Sequence, residues 1–461
     1  MTTPAPTHKL KREMSGFGGL VITLSGLSPS IGVYLAGSDI IHGAGSWVIG
    51  ACCLAVALGL VVSGVYAELG SAFPHAGGDY TLIGKTLGPT MAIATLVGSL
   101  TGLPIALALS GLGVAEYLRV IWPGLEALPV ALACVATVTV LAALSIRMNS
   151  WVTGVFLVVE VLSLTITAWL GFAHPHRDLL AATLHPMLSA AHGGLVPVPL
   201  VMMGVAGAGA VYAFNGYGSA VSFGEEVVGA RHKMAWMIFG ALGLAALTIL
   251  PPLAGVIVGA KDLAAISAAP APVSAFIHEA ASPGLAAAVS LGVAIAIFNA
   301  MIATALIGGR TLYACSRDQL WHPAANRAFA SVHPGFGSPW VATLVLGAGG
   351  LALCTVPLAT LIMINGNGAA INYALLALGV ILGRRSGSTR ETQSRMPWHP
   401  VGPIVVILAV LAIVVAELYD TGSGRTGLLV TALFLAAGAL YYNFIAKRRG
   451  VWAHVDPEAE T

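Results

Sequence analysis

Few side chains of this 461-residue chain stand where they could do chemistry. Glu160 is the sharpest case, set in Phe156-Leu157-Val158-Val159-Glu160-Val161-Leu162, a run with nothing to solvate a charge. A carboxyl in such surroundings is either a protonatable relay or a neutral, hydrogen-bonded group facing a neighbouring helix. Two other stretches offer backbone rather than side-chain groups. Gly26-Leu27-Ser28-Pro29-Ser30-Ile31-Gly32 interrupts one apolar run, and Phe214-Asn215-Gly216-Tyr217-Gly218-Ser219, preceded by Gly204, Gly207 and Gly209, interrupts another. Proline removes a helix donor and glycine eases unwinding, so both stretches can free N–H and C=O groups. The plainer alternative is close helix packing at small residues with a simple proline kink. Glu68, Lys85, Arg147, Glu225, Glu226 and Arg310 form a third set, at the ends of apolar runs. They are candidates for ion pairs that latch a gate, Arg310 with Glu226 foremost; the alternative is solvated charge worth little.

The elements that must position these residues follow from composition. Hydrophobic residues make up 57% and charged residues only 9%, with 21 basic and 19 acidic side chains. A soluble domain carries roughly 25% charge, so this chain cannot coat itself for water. Its apolar residues lie in continuous blocks near the ~20 needed for a membrane-crossing helix, without the alternation of barrel strands. About twelve such spans are predicted, over 15–41, 46–70, 90–114, 127–146, 150–173, 198–223, 234–258, 284–309, 340–357, 361–382, 401–418 and 427–446. The fold class expected is therefore an all-α polytopic membrane protein. The first apolar run, behind Lys9, Lys11 and Arg12, reads as an uncleaved first span rather than a signal peptide.

Charge placement gives the topology. With the N-terminus inside, all basic residues except Arg119, Arg177, Lys261 and Arg425 fall in inner segments, as the positive-inside rule requires. Both termini are then cytoplasmic. Spans 1–5 and 6–10 each open on an interrupted helix, and because five is odd the second unit must be inverted. Paired broken helices opening inverted repeats mark a midplane binding site in secondary transporters. The organisation expected is a tail over 1–14, five-helix units over 15–173 and 198–383, accessory helices 11 and 12 over 400–446, and a tail over 447–461. The five cysteines include no CxxC pair, and His174, His176, His185 and His192 are irregularly spaced loop residues, so no metal site is expected. A net charge of +2 without a basic tract gives no reason to expect nucleic acid. Neither a nucleophile elbow nor a phosphate loop occurs, so an enzyme is not expected.

Three motifs carry a resemblance. Ala67-Glu68-Leu69-Gly70-Ser71-Ala72-Phe73-Pro74-His75-Ala76-Gly77-Gly78-Asp79-Tyr80 with Leu87-Gly88-Pro89 follows span 2. Ala213-Phe214-Asn215-Gly216-Tyr217 and Gly224-Glu225-Glu226-Val227 close span 6. Arg310-Thr311-Leu312-Tyr313-Ala314 with Ser316-Arg317-Asp318, then Val332-His333-Pro334 and Ser338-Pro339, follow span 8. In order and spacing they resemble the amino acid–polyamine–organocation (APC) superfamily of permeases, over roughly 12–446. The resemblance implies a 5+5 inverted-repeat core with broken helices 1 and 6, working by alternating access. It implies that a substrate carboxylate meets the N–H groups of Ile31 and Gly32, with Ser28 and Ser30 nearby, and that its ammonium meets carbonyls of Tyr212, Ala213 and Asn215 beside Phe214. Half-helix termini carry partial charges of the right sign for both ends. Tyr212 falls where an aromatic gate covers the substrate, unless it is a core residue. Side-chain preference would rest on Tyr217, Asn299 and Asn372, and coupling or gating on Glu160, Glu68, Glu226 and Arg310.

Departures limit the transfer. Gly218 stands where many members carry glutamate, residues 150–173 hold no lysine of the kind some proton-coupled members use, and Ala303-Thr304 is a poor sodium site. The function implied is secondary active transport of an amino acid or related amine, by proton symport or exchange, with no organic cofactor; the partners are that substrate, a coupling proton and membrane lipid. A membrane sensor of the same fold without net transport is the alternative. No charge is placed in sequence as counter-ion to a basic side chain, which leans the expected substrate towards neutral or small amines.

Overall fold

The computed structural model describes residues 15–73, 78–144, 150–190, 193–223, 227–335 and 337–450. Arg147, Glu225 and Glu226 of the expected latch, positions 74–77 of the first motif and His192 lie outside the described residues. The chain is an all-α polytopic membrane protein. Among the described residues nine helical stretches are long and apolar enough to cross a bilayer, and Ala127–Ala143 and Trp340–Leu353 are shorter apolar helices.

Span 1 is divided into Gly16–Leu27, a π-helical segment Ile31–Gly37 and Ser38–Ala44. Ser15 starts it, its hydroxyl accepting the Gly18 N–H at 3.0 Å. Spans 2–5 are Val48–Ala72, Pro89–Ile121, Ala127–Ala143 and Ser150–Ala173. Span 6 is Leu200–Phe214 followed by a 3₁₀ segment, Tyr217–Phe223. Spans 7–10 are Ala230–Gly259, Pro283–Arg317, Trp340–Leu353 and Leu358–Ser386; spans 11 and 12 are Val401–Tyr419 and Ser423–Tyr441. Proline opens spans 3 and 8, where its missing donor is one the helix leaves unused. Several helices outrun their apolar blocks: span 8 carries Arg310 and Arg317 within its last turns, because a helix continues past the bilayer edge where charge is welcome. A short helix, Asp79–Leu87, joins spans 2 and 3, and a two-stranded antiparallel hairpin pairs Met187–Ser189 with Leu195–Pro197 before span 6.

Lipid supplies no hydrophobic drive between helices, so the bundle holds by close packing. Gly255 and Gly259, four apart on span 7, bring its backbone against Gly171 of span 5, where a Cβ would meet backbone. Packing pairs recur across the bundle: span 2 on 7, 3 on 8 and 4 on 9, with 5 on 7 answered by 10 on 2, and 5 on 8 by 10 on 3. The broken helices cross head to tail. Gly16–Leu27 packs on Tyr217–Phe223, and Ile31–Gly37 packs on Leu200–Phe214. Spans 11 and 12 lie outside this pattern, against spans 2, 6 and 10 and against spans 3 and 10 respectively.

Candidate functional site

The interruption in span 1 is built on one left-handed residue. Ser28 takes φ +48°, sparsely allowed for a side chain with a Cβ, and its N–H closes the first half on the Leu24 carbonyl. Pro29 follows without a donor. The Ser30 N–H would then be orphaned, and Glu160 of span 5 meets it: the carboxylate accepts that N–H at 2.8 Å and the Ser28 hydroxyl at 3.2 Å through the same oxygen, Oε1. Glu160 is buried, and its negative end sits at the start of a half-helix, where the backbone dipole favours it. The N–H groups of Ile31 and Gly32 both reach the Ser28 carbonyl, at 3.0 and 3.4 Å.

In span 6 the Asn215 N–H ends the helix on the Tyr212 carbonyl at 3.0 Å, and Gly216 takes φ +126°, which only glycine adopts freely. The two interruptions touch. A Cβ on Gly32 would lie 2.6 Å from the Ala213 carbonyl oxygen and 2.9 Å from Ile249 Cδ1, so hydrogen is all that fits there.

A cavity of about 330 Å³ opens between them, within the range of small-molecule sites. Its wall takes Gly26, Leu27, Ile31 and Gly32 from span 1 and Tyr212, Ala213, Asn215 and Gly216 from span 6. Spans 3, 8, 10 and 12 complete it with Thr95, Ser99, Thr304, Asn365, Asn372 and Thr431 among others. Ser28 and Ser30 are buried and not part of this wall; they meet Glu160 through the Ser28 hydroxyl and the Ser30 N–H. Phe214 and Tyr217 are likewise buried off the wall; Tyr217 packs with Tyr66 and Tyr373, ring centroids 6.2 and 5.9 Å apart. Tyr373 donates its hydroxyl to Asn215 Oδ1 at 3.2 Å. Asn299 is half-buried on span 8, away from the wall that Thr304 and Ile307 supply.

Asp79 was not singled out by sequence reasoning, and the structure puts it on that wall. Its Oδ2 accepts the Tyr66 hydroxyl at 2.9 Å and the Asn372 amide at 2.5 Å, tying the helix Asp79–Leu87 to spans 2 and 10. Burial pushes its carboxyl up to about 6, against those two hydrogen bonds, which favour the charged form. It is therefore ionised above that pH and neutral below it. The signal that could have found it is the motif itself, where an acid occupies the free position in Gly77-Gly78-Asp79-Tyr80.

The charges at the helix ends sort differently from the set assembled in sequence. Glu68 is fully buried at the end of span 2 and pairs with Arg384 of span 10, taking Nε at 2.7 Å and Nη2 at 2.5 Å, and also the Met396 N–H at 2.9 Å. Arg310 is exposed on span 8, and its expected partner Glu226 lies outside the described residues.

Comparison with known proteins agrees with this geometry. The family described as amino acid permease matches residues 16–439. A protein of Mycobacterium tuberculosis named an uncharacterized transporter is 28% identical over 391 residues, covering 83% of each chain. A methylthioribose transporter of Bacillus subtilis is 24% identical over 432 residues, 88% of each chain. A branched-chain amino acid permease of Lactococcus lactis is 28% identical over 236 residues, 49% of this chain and 48% of its own.

Proposed function

The chain belongs to the amino acid permease family, and on that premise we propose that it carries an amino acid or a related amine across the cytoplasmic membrane by alternating access. It is a membrane transporter of the amino acid permease type; substrate and coupling are our reading. One observation carries that reading: a single cavity is walled by both interrupted helices, which pack head to tail. A half-helix start offers partial positive charge and a half-helix end partial negative charge, so a zwitterion is held without a buried full charge. The N–H groups of Ile31 and Gly32 would take the carboxylate once their bonds to Ser28 open, and the carbonyls of Tyr212, Ala213 and Asn215 the ammonium, with Tyr212 covering it. The recurrent span pairings support two inverted five-helix units over 15–173 and 198–383, which would rock about this fixed site. Both termini would lie in the cytoplasm, a reading that the distribution of arginine and lysine supports.

For coupling we propose proton symport or exchange through Glu160. Protonation would weaken its hold on the Ser30 N–H, loosening the interruption that lines the cavity. Glu68, with Glu226 and Arg310, would hold the inner gate. Glutamine at 160 keeps an oxygen for the Ser30 N–H and removes the titration. Glu160→Gln is therefore expected to retain substrate counterflow in proteoliposomes while losing at least about tenfold of the accumulation driven by an imposed pH gradient. An unchanged pH profile would remove Glu160 as the coupling group.

A further inference from the structure

We infer that Asp79 is the specificity-determining residue of the cavity, its carboxylate receiving a second, distal ammonium of the substrate. The inference rests on the transport reading and narrows the substrate to basic amino acids and their diamines. Asp79 is the one charged side chain on the cavity wall among the described residues. Its hydrogen-bond partners among the described residues, the Tyr66 hydroxyl and the Asn372 amide, are neutral, so they orient the carboxylate without balancing its charge. Desolvating an ion without a counter-charge is costly, and the occupant is what can supply one.

Other polar groups of the cavity wall are short of partners in the same way. Thr95 is 4% exposed, and its hydroxyl, the Asn365 amide nitrogen and Asn372 Oδ1 have no hydrogen-bond partner among the described residues. All three residues line the cavity. Asn372 Oδ1, on the side chain whose amide already meets Asp79, is an acceptor suited to another proton of an ammonium, which has three to donate. The common α-amino acid part would stay at the interruptions of spans 1 and 6, leaving the rest of the cavity, with Asp79 on its wall, for the side chain. This reverses the leaning towards neutral substrates drawn from the sequence, because a loop residue supplies the counter-ion that the spans do not.

The test compares lysine with norleucine, which share a six-carbon chain and differ only in the terminal ammonium. Radiolabelled uptake of each would be measured into proteoliposomes holding the full chain, at pH 7.5, where Asp79 is ionised. The wild type is expected to prefer lysine by about tenfold or more, the worth of a charge-assisted contact. Asp79→Asn should lower the lysine-to-norleucine ratio by about as much. Asp79→Glu moves the charge one methylene into the cavity and should shift preference from lysine towards ornithine, one carbon shorter, a change that loss of structure cannot produce. A wild type that prefers norleucine, or variants that leave the ratio and chain-length preference unchanged, would overturn the inference while leaving transport standing. Uptake or counterflow of no substrate by the wild type would instead bring down the transport reading, and the inference with it.

Discussion

Alanine at position 32 is expected to reduce uptake to less than about a tenth of the wild-type rate while the protein still folds. The added Cβ would meet the Ala213 carbonyl oxygen at 2.6 Å and Ile249 Cδ1 at 2.9 Å. The isoleucine methyl can swing aside, but a backbone oxygen moves only with its helix. Overpacking of this kind costs about 1–3 kcal/mol, which a bundle of this size survives. What it does not leave in place is the contact between the two interruptions, and both walls of the binding site are backbone there. Gly243→Ala is the matched control, since nothing lies within 4 Å of the Cβ it would add. Equal uptake by the two variants, at equal protein levels, would show that the contact between spans 1 and 6 does not shape the site.

Loss of Arg384 should have the largest effect on stability. Glu68 is 0% exposed, and Arg384 supplies two of its hydrogen bonds. Removing one partner of a buried pair strands the other charge, at a cost of about 3–5 kcal/mol. Arg384→Ala is therefore expected to unfold at a markedly lower temperature in detergent, read by loss of the monodisperse peak after heating. Combining it with Glu68→Gln should recover most of the loss, because the stranded charge is gone. A double variant no more stable than Arg384→Ala would mean that the arginine acts through its bond to the Met396 carbonyl, 2.8 Å away, rather than through the ion pair.

What was legible in the sequence was what local chemistry decides. Twelve apolar blocks, the Ser28-Pro29-Ser30 interruption and the glycines before Asn215 are properties of neighbouring residues, and the helices form and break where those residues require. Glu160 stood out because a carboxyl among valines and leucines is conspicuous without a fold. Its partners were not visible, since Ser28 and Ser30 lie about 130 positions away and are brought to it only by the packing of span 5 on span 1. Arg384 was hidden for the same reason, 316 positions from Glu68. Asp79 was overlooked on a different ground. It lies in a connection between spans, and a search for counter-ions within the spans passes over a loop helix that folds back against the cavity. Several helix ends were set short, as in span 8, where an apolar count stops before Arg310 and the helix runs on to Arg317.

The central claim is that the cavity between the two interrupted helices carries a substrate across the membrane. Its most direct test is counterflow: proteoliposomes of the wild-type chain, preloaded with one unlabelled compound at a time from a panel of neutral and basic amino acids, diamines and methylthioribose, then diluted into a trace of the labelled form. Transient accumulation above the equilibrium level, saturable, specific to the preloaded compound and cut to less than about a tenth in Gly32→Ala, is the predicted result. Saturable binding of an amino acid or amine without counterflow or net uptake would contradict it and make the protein a sensor; counterflow undiminished in Gly32→Ala would place the substrate elsewhere.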